Sequence, residues 1–226
     1  MINEPLPDLD AFAAEHGLEA AGVADLDALR ESEPAAMASA PMEFPRGIAL
    51  GMRLPDAVVD AIDGQPTPLY FHSYRQANYA LDRAAFGLAL LLQRAGYRAI
   101  AVPASQVTEP GGKRGLASHR LIAYAAGLGW IGRPTLLVHP QHGARMRYAS
   151  VLTNAPYPPG EMMEPGCGEC RACIDVCPAG AIKESSREFD VAACFAALCE
   201  FRKLPFIGQH ICGICIKACR GPGCVS

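Results

Sequence analysis

Four cysteines stand close together in CGECRACIDVCPAGAI: Cys167, Cys170 and Cys173 at three-residue steps, then Cys177 after a wider gap, with Pro178 behind it. Thiolates are soft ligands, and three at this spacing suit three irons of one iron-sulfur cubane while the fourth points away to a second cluster. A tetrahedral zinc site uses cysteine pairs separated by a wide gap, a geometry this run meets poorly. Further on, HICGICIKAC supplies Cys212, Cys215 and Cys219, a C-x2-C-x3-C pattern without the third cysteine of a full run. Another thiolate has to close the second cubane, and DVAACFAALCEF, a short helix in pattern, offers Cys194 near its start and Cys199 near its end. We assign Cys167, Cys170, Cys173 and Cys219 to one 4Fe-4S cluster, and Cys177, Cys194, Cys212 and Cys215 to the other. Cys199 is then expected as a buried apolar thiol and Cys224 as a thiol of the tail.

All 10 cysteines lie between Cys167 and Cys224. In a reducing compartment that crowding points to metal ligation rather than to disulfides. Composition therefore draws a boundary within NAPYPPGEMMEPG, near Pro158. Residues 159–226 are expected to form a ferredoxin-like iron-sulfur domain that relays electrons. Residues 1–158 are expected to form an α/β domain that holds the electron acceptor or the substrate.

That larger domain has strand and helix patterns in alternation. GIALGM (47–52), YRAIAV (97–102) and RYASVLT (147–153) carry the apolar runs of buried strands. Between the first two, Leu81, Ala84, Ala85, Leu88, Leu91, Leu92 and Ala95 recur at helical spacing, and Gly96 ends the helix. DLDAFAAEHG and ADLDALRES near the N-terminus, and LASHRLIAYAA before the glycine turn, also have helical patterns.

GLGWIG (127–132) matches G-x-G-x-x-G, yet a helical pattern precedes it and no carboxylate stands near Leu152, so the dinucleotide fingerprint is not met. Two alternatives stay open. Gly127, Gly129 and Gly132 bring backbone close to a large flat cofactor, with Trp130 offering an apolar face, or the segment is a tight turn with Trp130 in the core. Candidates for the acceptor site are Ser118, Tyr70 and the glycine turn as cofactor-binding residues, and His119 and Tyr74 as catalytic ones. His72, Arg120 and Tyr124 flank the same elements. No G-x-S-x-G elbow, P-loop or spaced carboxylate pair occurs, which excludes the common hydrolase and kinase chemistries.

The net charge of -3 and the absence of a Lys/Arg block give no electrostatic footprint for nucleic acid or an anionic membrane. Half of the 226 residues are hydrophobic, enough to bury a core, but the most apolar stretch, AAFGLALLL, is too short to span a bilayer. The acidic start MINEPLPDLD lacks the basic, apolar character of a signal peptide, so a cytoplasmic protein is expected.

AGLGWIGRPTLLVHPQHGARMRYASVLTNAPY, CGECRACIDVCPAGAI, CFAALCE and CGICIKAC follow one another in an order that resembles epoxyqueuosine reductase and its shorter relatives. Residues 115–220 carry most of the likeness. The resemblance implies an α+β protein: a nitroreductase-like α/β domain that cradles a corrinoid (cobalamin), followed by a two-cluster bacterial ferredoxin-like domain, as in reductive dehalogenases. It implies delivery of low-potential electrons to the corrinoid, for reduction of a small substrate or activation of a corrinoid, with a redox donor protein as partner. It also favours Cys194 as the missing ligand, since the family's lone cysteine falls there. A two-cluster electron carrier with flavin, or with no cofactor in its large domain, is the alternative. Departures from the family are RAIAVPASQ, with Pro103 where an acidic proton donor is usual, GRP (132–134) in place of GKN, and Arg220 in place of a proline after Cys219. The family's helical-repeat region that contacts tRNA has no counterpart before Ser226, so tRNA is not expected as substrate.

Overall fold

A computed structural model describes residues 5–105 and 115–222. In chain order its elements are α1 (Leu9–Glu15), β1 (Ala20–Asp25), α2 (Leu26–Ser32), α3 (Pro34–Met37), β2 (Arg46–Arg53), α4 (Asp56–Asp60), α5 (Pro68–Arg94), β3 (Ala99–Val102), α6 (His119–Ala125), β4 (Trp130–Ile131), β5 (Leu137–Val138), β6 (Met146–Thr153), α7 (Ala172–Asp175), α8 (Val191–Phe201) and α9 (Ile214–Ala218). The fold is a mixture of α and β.

Two compact units divide the chain, and each is assembled from three stretches. The first comprises residues 1–52, 77–129 and 147–163; the second comprises 53–76, 130–146 and 164–226. Residues 53–76 and 130–146 group with the cysteine segment.

In the first unit a four-stranded sheet has the order β1-β2-β6-β3. β1 runs antiparallel to β2, pairing Val23 with Ile48, and β3 antiparallel to β6, pairing Ile100 with Leu152. Asp8 and Asp25 cap α1 and α2 by accepting hydrogen bonds from the first free backbone N–H groups. α5 buries the stripe Leu81, Ala84, Ala85, Leu88 and Leu92 in the same core as Ile48, Leu50 and Val151. Each fully buried leucine there contributes about 2 kcal/mol of transfer free energy. The helix stops where Tyr97 N–H donates to the Leu92 carbonyl, with Gly96 at φ +91°.

The second unit has little regular structure. Its hairpin β4–β5 pairs Trp130 with Val138 and Ile131 with Leu137. A small apolar core joins Trp130, Val138 and Ala144 to Cys219, with Cys167 and Ile216 packed against it. Local hydrogen bonds shape the cysteine run: Cys170 N–H donates to the Cys167 carbonyl, and Cys177 N–H to the Ile174 carbonyl. No helix among the described residues is long and apolar enough to cross a membrane.

Candidate functional site

The described cysteines all lie in the second unit. One small cavity is lined by Cys167, Cys170, Cys173 and Cys219, with Trp130, Pro134, Val138, Ala172 and Gly221 completing the wall. No carboxylate or imidazole shares that lining, so the donor set is four soft sulfurs in an apolar pocket, which fits a thiolate-held iron-sulfur cluster. Burial pushes the Cys173 thiol up to about 11, and the neighbouring Cys167 and Cys170 add to the rise.

The second expected set is Cys177, Cys194, Cys212 and Cys215, of which Cys215 also lies near Cys173 of the first. Burial raises Cys194, Cys212 (to about 11) and Cys215, and in each case the charge of a neighbouring cysteine of this set raises it further. Every pair among the four is close enough to interact in this way. Burial and neighbouring cysteines thus disfavour the thiolate form at Cys194, Cys212 and Cys215, and a cationic metal core would offset that charge. Among the described residues, no three His, Cys, Asp or Glu side chains stand in position to hold one metal ion. Cys199 lies half-buried on α8, and Cys224 falls outside the described residues.

Residues from outside the cysteine segment hold the first set in shape. Arg133 donates to the Cys170 carbonyl at 2.7 Å and to the Gly168 carbonyl at 2.8 Å, so one planar guanidinium pins the loop between two of the cysteines. A lysine at this position would offer no such fork. On the far side, Arg145 is almost fully buried, donates to Asp56 at 3.0 Å, to Asp60 at 2.7 Å and to the Lys217 carbonyl at 2.8 Å, and so ties α4 to α9. Hydrogen bonds from Arg145 are the leading cause that holds both carboxyls below their ordinary range. Arg220, which stands where the family has proline, pairs with Asp60 at 2.8 Å. Sequence reasoning missed this network; the charge introduced at position 220 was its one visible signal.

Trp130, for which a cofactor face and a core position were both open, lines the first cavity, and Gly132 lies beside it. The indole Nε1–H donates to Cys167 Sγ at 3.3 Å, and a Cβ on Gly132 would meet Val138, Pro134 and Cys167. Tyr70, also expected at the cofactor, is 1% exposed, and its ring fills the space beside Gly213 with Ile62. Tyr74 sits half-buried on α5 in this same unit, and His72 is exposed.

In the first unit the remaining candidates have structural partners. Gly127 has φ +76°, and a Cβ there would lie 2.4 Å from the Glu161 carbonyl oxygen, so its open side faces the chain itself and not a cofactor cradle. Gly129 has φ +152° and is buried. Ser118 is the N-cap of α6 by backbone geometry, without a side-chain capping bond. His119 uses both ring nitrogens: Nε2–H donates to the Pro103 carbonyl at 2.9 Å, and Nδ1 accepts from the buried Ser150 hydroxyl at 2.9 Å. Although part of its surface is accessible, burial of the ring is the main cause holding its pKa below the ordinary 6.5, with Arg147 acting in the same direction. A neutral imidazole tying α6 to β3 and β6 is thus positioned as a strut, and a proton-transfer role has no free nitrogen. Nearby, Asn78, Ser105 and Arg147 form a hydrogen-bonded polar group, and Asp82 accepts from Ala104 N–H at 2.7 Å. The Tyr148 hydroxyl on β6 is buried without a hydrogen-bond partner among the described residues.

A curated epoxyqueuosine reductase of Bacillus anthracis is 36% identical over 84 residues, which are 37% of this chain and 22% of that protein. The chain is similar to epoxyqueuosine reductases. Such relatives are enzymes, and the chain spans about a fifth of the length of the curated relatives it matches. A solved epoxyqueuosine reductase with an epoxyqueuosine-modified tRNA stem loop superposes with a TM-score of 0.58, at 20% identity over 93% of this chain and 63% of that one. A reductive dehalogenase whose structure suggests a mechanism for B12-dependent dehalogenation superposes with a TM-score of 0.63, at 19% identity over 81% of this chain and 27% of that one. At those identities the likeness establishes the fold. No family model matches the chain.

Proposed function

We propose that this chain is an iron-sulfur oxidoreductase with two 4Fe-4S clusters, one on Cys167, Cys170, Cys173 and Cys219, the other on Cys177, Cys194, Cys212 and Cys215. The observation that carries the proposal is the cavity whose lining includes four cysteines from opposite ends of the segment and no other ligating side chain. When bound, each cluster supplies one-electron transfer at low potential. The chain's own residues do the rest. Thiolates fix the iron, Pro134, Val138 and Ala172 exclude water from the pocket, and Arg133 and Arg145 hold the ligand-bearing loops in register.

As the acceptor we propose a corrinoid, in a nitroreductase-like and ferredoxin-like arrangement, supported by the likeness to the B12-dependent dehalogenase structure. No residue of the glycine turn is assigned to it, since Gly127 faces Glu161 and Gly132 faces the cysteine cavity. A small molecule or a corrinoid is proposed as substrate in preference to tRNA, because a net charge of -3 offers little to a polyanion. The proposed setting is the cytoplasm, which keeps thiols reduced, with a redox protein as donor.

Anaerobic reconstitution with iron and sulfide, followed by absorbance spectroscopy with and without added cobalamin, tests this. A broad iron-sulfur absorption together with a cobalamin spectrum that changes on binding is the expected outcome. Flavin bands on isolation, or clusters without any cobalamin binding, would replace the corrinoid proposal by the electron-carrier alternative. Salt-sensitive tRNA binding with turnover would overturn the substrate preference.

A further inference from the structure

From its placement we infer that Trp130 sets the reduction potential of the cluster held by Cys167, Cys170, Cys173 and Cys219, by donating its indole N–H to a ligand sulfur. The inference rests on the cluster proposal above.

The geometry is specific. Trp130 is 4% exposed, and its Nε1 lies 3.3 Å from Cys167 Sγ, within hydrogen-bond range for a sulfur acceptor. Strand β4 pairs Trp130 directly with Val138, which lines the same cavity, so the backbone ladder fixes where the ring projects. The neighbouring chain makes room for it: a Cβ on Gly166 would stand 2.8 Å from two ring carbons, so any larger residue just before Cys167 would push the indole out. Trp130 also packs in the apolar cluster that contains Cys219, so it touches the environment of both the first and the last cysteine of the set. An indole N–H only donates, and a buried one with a thiolate in front of it has an acceptor that is charged in the holoprotein.

The consequence follows from charge. One-electron reduction adds one negative charge to the cluster and its thiolates, and no bond forms or breaks. A hydrogen bond to a ligand sulfur stabilises the form with more negative charge, so it raises the potential. The second set, Cys177, Cys194, Cys212 and Cys215, has no claim on this donor, because the chain has a single tryptophan. Trp130 is thus a positioning and tuning residue that makes one cluster the easier to reduce than it would otherwise be.

That single tryptophan also makes the test clean. Protein grown with 15N-labelled indole, reconstituted, checked for iron and reduced with dithionite, carries one label that can report to a cluster. Pulsed EPR of the reduced protein should show a 15N coupling, and the exchangeable indole proton should be coupled as well. Trp130→Phe keeps the ring and loses the N–H. Redox titration of that variant should move one midpoint to more negative potential and leave the other in place, with iron content unchanged. Cluster-loaded wild-type protein without any 15N coupling would overturn the inference, as would unchanged midpoints in a fully loaded Trp130→Phe. Should that variant lose its iron, the labelled wild-type spectrum decides alone. Protein that takes up no iron at all would overturn the cluster proposal and this inference together, which a missing coupling in loaded protein would not do.

Discussion

Gly143→Ala should cost the protein its first cluster. Gly143 has φ +60°, and its ideal Cβ would stand 2.2 Å from the Cys219 carbonyl oxygen, 2.6 Å from Gly221 N and 2.7 Å from the Arg220 carbonyl carbon. All three are backbone atoms, so no flexible side chain can yield. Ordinary contact begins near about 3.5 Å, and the segment after α9 must retreat by about 1 Å. The left-handed backbone adds about 1 kcal/mol for any residue with a Cβ, and forced overpacking about 1–3 kcal/mol more. Urea unfolding should therefore show a loss of roughly 2–4 kcal/mol. The moved segment carries Cys219, the one member of its set outside the tight run, so iron should fall from about eight to about four per chain. Gly64→Ala is the control, with φ +63° and nothing within 4 Å of the added Cβ. It should lose only about 1 kcal/mol and keep its iron. If Gly143→Ala retains full iron and is no less stable than Gly64→Ala, the close approach to Cys219 is not what holds that ligand.

Cys194→Ser should lose about four irons per chain while Cys199→Ser loses none, as iron assay will show; the reverse would make Cys199 the ligand. His119 has a folded pKa below its ordinary 6.5, so the neutral form is the stable one. Its contribution is complete above about pH 6.5 and declines as pH falls from there towards the lowered folded value, where the unfolded chain takes up a proton and the folded one does not. Denaturation curves between pH 7.5 and 5, set by that principle at roughly one proton of dependence, should lose this slope in His119→Gln. Arg145→Met should loosen α9 and lower the iron content of the second unit more than it changes the far-ultraviolet circular dichroism, since it removes the bonds to Asp56, Asp60 and the Lys217 carbonyl while the first unit's sheet is untouched.

The core of the first unit was legible because its signals are local. The α5 stripe repeats at helical spacing for several turns, and β2, β3 and β6 are dense in apolar residues. β1 was not legible: AAGVAD is short, made of small residues and adjoins a helix whose capping residue, Asp25, is its own last residue. That Cys167, Cys170 and Cys173 would stand together was readable from their three-residue steps, and the cavity they share with Cys219 agrees with that spacing. What surrounds them was not. Asp56, Asp60, Arg145 and Arg220 meet only through tertiary packing, and two-residue strands such as β4 and β5 have no periodicity to detect. GLGWIG shows the same limit in one motif. The pattern was visible, but whether its tryptophan faced a cofactor, the core or a cysteine depended on the partner that Gly166 admits.

The central claim is that eight cysteines in two sets of four hold two four-iron clusters. Iron and acid-labile sulfide counts on anaerobically reconstituted protein, with Mössbauer spectra of the 57Fe-labelled sample, test it most directly. About eight irons and as many sulfides per chain, all in four-iron clusters, is the predicted result. A count near four, or stoichiometric zinc with no sulfide, would contradict it.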